Sequence, residues 1–262
     1  MQRRDFVAGS AGVPLLSSSA LAQGTEKAPS ILELRYFKLR NTTDNQRAKL
    51  AEFLGKAVVP AMQRAGSGMV GLFGSSIAPD APFQLLVAQH ASISAFEQCW
   101  QKLMVDGELG GTAAALMQSV ALPFQRMEVQ LLRGFKGFPG IEKLPGGAER
   151  AARIFELRTY ESNTPVSLLK KIGMFENGEI DLFRKHNLLP VFFGEMIAGP
   201  KMPNLTYMVA FDNLAAREAN WRSFATSAEW KKMASTPGLS DGEIVSNISN
   251  MILTPLAGSM IR

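Results

Sequence analysis

The chain has 262 residues, with 28 Lys and Arg against 23 Asp and Glu and a formal net charge of +5. The basic residues form no run interleaved with aromatics, which argues against a nucleic-acid-binding protein. The one cysteine, Cys99, excludes an intrachain disulfide, and with two distant histidines it offers no metal-ligand spacing. No stretch reaches the roughly 20 apolar residues of a membrane span, so we expect a soluble mature protein.

Residues 1–22 have the layout of a bacterial twin-arginine export signal. Arg3-Arg4 precede an aromatic residue, a weakly apolar stretch follows, and Ala20-Leu21-Ala22 is a small-x-small cleavage pattern before Gln23. The segment therefore predicts a periplasmic or secreted protein that is mature from about Gln23.

The first module is predicted over residues 23–135. Alternating apolar residues and turn signals predict strands, and apolar residues three and four apart predict helices. Asp44 is expected to cap the first helix. The predicted elements are, in chain order, strand Ile31–Lys38, a helix with apolar residues from Leu50 to Ala61, strands Met69–Ile77 and Phe83–His90, helices Ile93–Val105 and Thr112–Ser119, and strand Phe124–Leu132.

The second module is predicted over residues 153–262, after a turn-rich linker at 136–152 that contains Phe138-Pro139-Gly140 and Pro145-Gly146-Gly147. Its elements repeat the order of the first module. They are strand Arg153–Glu161, helix Pro165–Lys185, strands Val191–Ile197 and Leu205–Phe211, helix Leu214–Thr226 extended through Glu229-Trp230, and strand Asn247–Thr254.

Three sequence matches in the same order indicate that the module is duplicated. Glu33-Leu34-Arg35 returns 123 positions later as Glu156-Leu157-Arg158. Leu72-Phe73-Gly74 returns after 120 positions as Phe192-Phe193-Gly194, and the segment from Ala95 to Trp100 returns after 121 as Ala216 to Trp221. The order βαββαβ in each copy is the ferredoxin-like pattern. We therefore predict an α+β fold with two tandem ferredoxin-like modules, packed sheet to sheet as a barrel within one chain.

The first strand of each module carries charges on one face. The period of two places Glu33 and Arg35 beside Phe37, and Glu156 and Arg158 beside Tyr160. The opposite, leucine-bearing face is expected to meet the helices, so the charged face is predicted to point into the interior between the two sheets. Because buried charges are costly unless paired, two hypotheses stand: salt bridges that set the register, or arginines that hold an anionic group.

The candidate ligand-binding residues are Arg158, Tyr160, Glu156, Glu195, Arg35, Glu33 and His186. Tyr160 and Glu195 have Phe37 and Ser75 as counterparts in the first module, so a site is expected in the second. His186 ends the first helix of the second module and is either a residue favoured by the helix dipole or a ligand. His90 is expected to be structural or exposed, and Cys99 a small core residue. The chain has no phosphate-binding loop of the Gly-x-x-x-x-Gly-Lys type.

The second module resembles the NIPSNAP family over residues 153–255. The resemblance is carried by three segments: Phe155 to Tyr160, Leu189-Pro190 through Gly194, and Leu214 to Arg222 with Glu229-Trp230 after it. The first module resembles a diverged copy, in which Phe96 stands where the second has Arg217. The resemblance implies the dimeric α+β barrel superfamily, and it implies no agreed reaction and no catalytic residue set.

Three functional hypotheses follow. The first is an exported NIPSNAP-domain protein that binds a small ligand or partner in the interior between its sheets. The second is an enzyme of the superfamily, monooxygenase- or isomerase-like, acting on a small, partly apolar substrate. The third is a structural or interaction protein with a filled barrel. The residues predict no cofactor, and the resemblance leaves haem as a candidate. The chain is also a candidate for self-association into a homo-oligomer.

Overall fold

A computed structural model describes residues 28–146 and 151–262; the predicted export signal lies outside them. Eight strands are found there. They are β1 (Ile31–Lys38), β2 (Val70–Ile77), β3 (Phe83–His90), β4 (Arg126–Gly134), β5 (Ile154–Glu161), β6 (Leu189–Ala198), β7 (Asn204–Phe211) and β8 (Asn247–Pro255).

The helices lie between the strands in the predicted positions. In the first module they are α1 (Gln46–Phe53), a π-helical turn (Leu54–Val58), α2 (Val59–Ala65), α3 (Ile93–Met104) and α4 (Gly107–Ser119). In the second module they are α5 (Pro165–Met174), a second such turn (Phe175–Glu179), α6 (Ile180–Lys185), α7 (Leu214–Thr226), α8 (Ala228–Ala234) and α9 (Asp241–Ile244).

All eight strands pair in one closed, antiparallel barrel with the order β1-β3-β2-β8-β5-β7-β6-β4. Each module contributes four neighbouring strands, and β1 and β5 lie at the centre of their own halves. The pairs β2–β8 and β4–β6 join the halves along both edges. Closure leaves no free sheet edge in the barrel, and it confirms the predicted α+β fold of two ferredoxin-like modules.

The barrel interior is apolar, and the predicted orientation of the first strands is wrong. Leu32 and Leu34 of β1 pack in the interior with Phe155 and Leu157 of β5. Their neighbours on the opposite face, including the Glu-x-Arg pairs, point outward to the helices. An eight-stranded barrel is only wide enough for side chains to fill it, and the side chains that pack around Leu32 and Phe155 are apolar. The helices supply partners for the charges, which is why the charged faces lie outside.

Each sheet packs its outer face against its own helices. In the first module the hydrophobic residues of this layer include Phe37, Leu50 and Leu86. In the second it is rich in aromatic rings, among them Phe175 and Phe183. The molecule therefore has three cores: one interior shared by both modules and one helix layer in each.

The structure also corrects one match of the repeat. Leu72 pairs with Leu86 in β2–β3, and Phe193 pairs with Tyr207 in β6–β7, so the structural offset is 121 and not 120. Leu72 and Phe193 both face the helices, while Phe73 faces the interior. A slip of one residue moves a side chain to the other face of a strand, so the repeated Phe-Gly pair does not mark equivalent positions.

Some helix boundaries differ from the prediction. Helix α1 begins at Gln46 after Asn45, which has a left-handed backbone, and Asp44 does not cap it. Helix α4 is longer than predicted because the Asp106 side chain accepts a hydrogen bond from the Leu109 N–H and starts it earlier. Ser227 caps α8 as a separate helix where an extension of α7 was expected. Among the described residues, no helix has the length and apolar character to cross a membrane.

Truncation of an interior ring tests how tightly the shared core is packed. Phe73 of the first module meets Phe155 of the second edge to face, with ring centroids 4.9 Å apart. We expect Phe73→Ala to lower the free energy of unfolding by about 3–5 kcal/mol in chemical denaturation, because it opens a cavity between both modules. Met104→Ala, at an exposed position, is the control and should change stability by less than about 0.5 kcal/mol. Equal effects of the two changes would contradict a filled interior.

Candidate functional site

Each module buries one glutamate of its central strand beneath a helix. Glu33 and Glu156 are fully buried. The indole N–H of Trp100 in α3 donates to Glu33 at 3.0 Å, and that of Trp221 in α7 donates to Glu156 at 2.7 Å. The two tryptophans are 121 positions apart in sequence, so both copies fasten the second helix to the sheet in the same way.

In the first module the other partners of Glu33 are Arg35 and His90. The Arg35 Nε donates at 2.6 Å, and the His90 Nε2 lies 2.9 Å from the second carboxylate oxygen. Arg35 also lies over the Trp100 ring, 3.7 Å from its centroid. Burial would raise the pKa of Glu33, but the His90 hydrogen bond and the Arg35 charge outweigh it and lower that pKa. His90 is therefore a buried structural partner of the carboxylate.

In the second module Glu156 accepts five hydrogen bonds. Arg158 Nη1 donates at 2.7 Å, Arg217 donates from Nε at 2.8 Å and from Nη2 at 2.7 Å, and Trp221 and Asn250 donate at 2.7 Å each. Burial would raise the pKa of Glu156, but these donors and the Arg158 charge lower it. The fully paired carboxylate agrees with the hypothesis that the Glu-x-Arg pairs are internal salt bridges. A ligand role for these residues stays a prediction.

Two other candidate residues lie away from this cluster. Glu195 of β6 is near Arg133 of β4 at 3.8 Å, at the seam between the modules. His186 follows α6, and its Nδ1 lies 2.8 Å from the Ser223 hydroxyl. The structure thus brings Glu156, Arg158 and Tyr160 together in one layer and places Glu195 and His186 elsewhere.

A second polar cluster lies deeper in the same helix layer. Lys171 of α5 is fully buried, and its Nζ lies 3.2 Å from the carboxylate of Glu179, which is also buried. Asp241 at the start of α9 lies 3.2 Å from the same nitrogen on the other side, and its side chain is 45% exposed. Asp241 therefore connects the buried pair to solvent.

Two tyrosines extend this cluster towards Glu156. The Tyr207 hydroxyl donates to the Tyr160 hydroxyl at 2.9 Å, and Arg158 Nη2 donates to the same Tyr160 oxygen at 3.3 Å. The Lys171 ammonium lies 5.5 Å from the centroid of the Tyr160 ring. We call Lys171, Glu179, Tyr160 and Tyr207 the module 2 polar cluster.

Aromatic rings surround the ammonium group of this cluster. Besides Tyr160, the rings of Phe175 and Trp230 lie 5.1 and 5.2 Å from the Lys171 Nζ. Cations are attracted to ring faces at such distances. The lysine is thus held by two carboxylates and three rings in a site that is mostly apolar.

Burial and pairing shift the acid–base properties of the cluster. Burial would lower the pKa of Lys171, but Glu179 and Asp241 outweigh it and raise that pKa. Burial raises the pKa of Glu179 to about 7, although Lys171 opposes the shift. Burial and the neighbouring Tyr160 raise the pKa of Tyr207 well above its usual value. Near neutral pH the site holds a charged lysine, a protonated tyrosine and a carboxyl group that changes charge.

The first module shows how the same positions pack without polar groups. At an offset of 121, Lys171 corresponds to Leu50, Glu179 to Val58 and Tyr207 to Leu86. Tyr160 corresponds to Phe37 at the offset of 123 found for the first strands. All four counterparts are buried among the hydrophobic residues of the helix layer of the first module. The fold therefore does not require the polar residues of the second module.

Sequence reasoning misses Lys171, Glu179 and Tyr207 as site residues. The period of the helix Pro165–Lys185 assigns only its apolar residues to the core and treats its charges as a solvated face. A signal is present in the repeat, because a residue-by-residue alignment of the copies places two charged residues opposite Leu50 and Val58. It is weak, because the helix also carries exposed lysines such as Lys170.

The helix carrying the cluster is broken beside it. Asn177 and Gly178 depart from helical geometry, with φ of 127° at Gly178, and this break lies between Lys171 and Glu179. The equivalent π-helical turn of the first module, Leu54–Val58, contains no such break. A groove of about 300 Å³ runs along α5 at this point and is lined by Lys170, Gly173, Met174, Asn177, Met233 and Leu239. The segment from α8 to α9, which supplies Met233 and Asp241, covers the cluster.

In residues 28–146 and 151–262, no group of three or more His, Cys, Asp or Glu side chains is placed to hold a metal ion. The polar groups of the cluster are instead one cation, a carboxyl group and two phenols. They are suited to binding or proton transfer with an oxygen-bearing organic molecule.

The fold and the paired helix layers define a single-chain α+β barrel protein. Similar solved structures share this fold across most of the chain. A "putative monooxygenase" from Fusobacterium nucleatum is 12% identical over 87% of this chain and 93% of its own, with a TM-score of 0.59. A second "putative monooxygenase", from Lactobacillus acidophilus, is 11% identical over 89% of this chain and 99% of its own, with a TM-score of 0.56. An anthrone oxidase-like protein is 12% identical over 90% of this chain and 97% of its own, with a TM-score of 0.53.

The NIPSNAP family model matches residues 155–260. The second module is therefore a NIPSNAP domain, as its opening strand and second helix indicated, and the protein is a NIPSNAP-domain protein. No curated protein matches the chain.

Removal of the buried carboxylate tests its structural role. Glu156→Ala removes the fully buried carboxylate that pairs with the partly buried Arg158 and Arg217, so we expect a loss of about 3–5 kcal/mol in the free energy of unfolding. The control is Glu218→Ala, because Glu218 also pairs with Arg217 but is exposed. That change should lower stability by less than about 1 kcal/mol in the same denaturation assay. A small effect of Glu156→Ala would show that the cluster does not hold the helix to the sheet.

The raised pKa of Glu179 predicts a pH dependence of stability. Between pH 4.5 and about 7 the folded protein keeps a proton on Glu179 that the unfolded chain has lost. The free energy of unfolding therefore falls as the pH rises through this window. A variant with the residues of module 1, Lys171→Leu/Glu179→Val, lacks this dependence. Its stability relative to the wild type should increase by roughly 2–3 kcal/mol from pH 5 to pH 8. A constant difference would contradict the raised pKa.

Proposed function

We propose that the protein is an enzyme of the α+β barrel superfamily and that its active site is the module 2 polar cluster. The reaction begins with proton abstraction from a small, partly apolar substrate that is enolisable or phenolic. One observation carries the proposal: the second module buries Lys171, Glu179 and two tyrosines where the first buries Leu50, Val58, Leu86 and Phe37.

The energetic argument for function is the difference between the two copies. Burying an ion pair is often less favourable than apolar packing of similar volume. The first module shows that apolar packing is available at these positions in this fold. A pair retained at such positions without structural need is typical of a functional site.

Glu179 is suited to act as the general base. Its pKa of about 7 means that a substantial fraction is ionised near neutral pH while the group still holds a proton well. The C–H or O–H proton of the substrate moves to the carboxylate, and the electron pair stays on the substrate as an enolate or phenolate. Lys171 and the tyrosine hydroxyls then face the new negative charge in a site of low polarity, where such contacts are strong.

The surroundings of the cluster favour a small substrate with an apolar part. Phe175, Trp230 and the tyrosine rings supply apolar contact area. The groove along α5 is the route of entry, and the segment from α8 to α9 must move to admit a molecule. Met174 and Met233 line this groove, and methionine side chains adapt readily to a passing ligand.

Two outcomes are open to the substrate anion, and the names of the similar solved structures correspond to one of them. Two of those proteins are named as monooxygenases and one as anthrone oxidase-like, and an anion that reacts with dioxygen would correspond to such an activity. If the proton instead returns to another atom of the substrate, the reaction is an isomerisation. These likenesses are of the fold, so the chemistry rests on the cluster itself. We further propose that the enzyme acts in the periplasm or outside the cell, in accord with the twin-arginine pattern at residues 1–22.

Activity assays with a defined panel test the proposal. Anthrone, 1-naphthol and acetylacetone present a carbon acid, a phenol and a small enolisable ketone. We expect the wild type to accelerate oxygen uptake or deuterium exchange at the acidic C–H with at least one of them. Lys171→Leu/Glu179→Val should reduce that rate at least 100-fold, the lower range for loss of general base catalysis, while the protein remains as stable as the wild type at pH 7.

A matched control makes the same two changes at an exposed ion pair. Lys56→Leu/Glu52→Val alters the salt bridge between these residues on the first helix of module 1 and should leave the rate unchanged. If no member of the panel reacts, or if both variants lose activity equally, the proposed active site is wrong. If Lys171→Leu/Glu179→Val unfolds the protein, the pair is structural and the proposal is also wrong.

A further inference from the structure

The two tyrosines of the second module, Tyr160 and Tyr207, have more hydroxyl protons to donate than hydrogen-bond acceptors to receive them. Tyr160 and Tyr207 are both buried, and the bond from Tyr207 to Tyr160 uses one of their two hydroxyl protons. Arg158 also donates to the Tyr160 oxygen. The hydroxyl proton of Tyr160 therefore has no acceptor within the described parts of the chain. Buried polar groups almost always have a partner, so this proton calls for an acceptor that the protein does not supply.

A second donor in the same layer is also unused. The Nε of Arg158 is buried and has no hydrogen-bonding partner among the described residues, although its two Nη atoms donate to Glu156 and Tyr160. A guanidinium and a phenol that both retain donors favour an oxygen acceptor with negative charge, because charge-assisted hydrogen bonds are the stronger ones.

The first module again provides the comparison. Phe37 and Leu86 occupy the two tyrosine positions there, and Phe37 packs edge to face with Phe124 with ring centroids 5.5 Å apart. The position of Tyr160 therefore accepts a ring without a hydroxyl. Packing explains the tyrosine ring in the second module, and it leaves the hydroxyl unexplained.

The rings next to the pair indicate the shape of the missing partner. Tyr207 stacks on Phe193 with an interplanar angle of 17°, and Phe175 lies 5.3 Å from Tyr207 and 6.2 Å from Tyr160 between centroids. These rings pack directly against the tyrosines, so a ligand reaches the hydroxyls only when the segment from α8 to α9 moves aside, as proposed above for the substrate. A flat, aromatic or conjugated ligand makes the best contact with such rings.

We propose that the Tyr160 and Tyr207 hydroxyls form an oxyanion site that binds the phenolate or enolate oxygen of a flat, aromatic or conjugated ligand. The site deepens the proposed function, on which it rests, by naming the atom of the substrate that the second module recognises. Tyr160 donates its free proton to the ligand oxygen, Tyr207 supports Tyr160 through the bond between them, and Arg158 adds positive charge. Glu179 lies in the same cluster to remove the proton that creates the anion.

The test compares a phenolate with its methyl ether. The probes are 4-nitrophenol, at a pH where it is ionised, and 4-nitroanisole, which has the same ring but no anionic oxygen. Calorimetric titration should show that the wild type binds the phenolate at least tenfold more tightly than the ether, in line with one or more charge-assisted hydrogen bonds. Tyr160→Phe and Tyr160→Phe/Tyr207→Phe should remove this preference while leaving the affinity for the ether unchanged.

The third tyrosine of the chain is the matched control. Tyr36 is buried in the barrel interior and away from the cluster, so Tyr36→Phe removes a buried hydroxyl without touching the site. It should keep the wild-type preference for the phenolate. Equal binding of phenolate and ether by the wild type would show that only water satisfies the free proton, and it would overturn the inference. Loss of the preference in Tyr36→Phe would overturn it as well.

The outcomes separate this inference from the proposed enzyme activity. Phenolate preference in Lys171→Leu/Glu179→Val, with no turnover by the wild type, would leave the oxyanion site standing and reject the proposed function. If the wild type turns over a substrate and Tyr160→Phe/Tyr207→Phe does not slow that turnover, the proposed function stands and the oxyanion site is rejected.

Discussion

Closure of the barrel around an apolar interior is the constraint on which the rest of the structure depends. Both modules bury the leucine face of their central strand there, in contact with Phe73 and Phe155. Apolar side chains fill the interior, and the buried Lys38 lies over the rings of Tyr36 and Phe83 where β1 ends. The clusters of paired charges described above lie in the two layers between sheet and helices. The apolar packing of the interior explains why the Glu-x-Arg pairs lie under helices and why ligand binding is proposed in a helix layer.

Both helix layers contain a buried glutamate, but only the layer of the second module contains the pair of Lys171 and Glu179. The buried glutamate with its tryptophan and arginine occurs in both, at Glu33 and at Glu156, and its donors satisfy it fully. A carboxylate that is paired in the same way in both copies is most simply structural. The cluster of Lys171 and Glu179 occurs once, at positions that are apolar in the other copy, and retains unused donors beside it. Because the module is duplicated within one chain, a feature that the fold requires in both copies can be distinguished from a feature of one module alone.

Much of the fold was accessible from the sequence, because strand and helix periods and the repeated segments are local signals. The order of elements, the duplication and the closed arrangement of the two sheets followed from them. The orientation of β1 and β5 did not, since both of their faces are compatible with burial and the partners of Glu33 and Glu156 outside their own strands come from residues 57 to 94 positions away. Tyr160 and Arg158 were predicted as site residues from their strand. Lys171 and Glu179 were missed because a charge on an amphipathic helix is ordinarily exposed, and only its depth in the fold shows otherwise.

The fusion of the two modules in one chain also gives a physical reason why the pair of Lys171 and Glu179 has no counterpart in the first module. A barrel built from two identical chains would repeat every buried group, including the ion pair of Lys171 and Glu179, and would carry its desolvation penalty twice. In a single chain, one module is free to keep apolar packing at Leu50 and Val58 and to stabilise the barrel through the shared interior. The other module then carries buried charges, a broken helix and unused donors within the same cooperative structure. The apolar packing of the first module and of the shared interior offsets the cost of the buried charges in the second module.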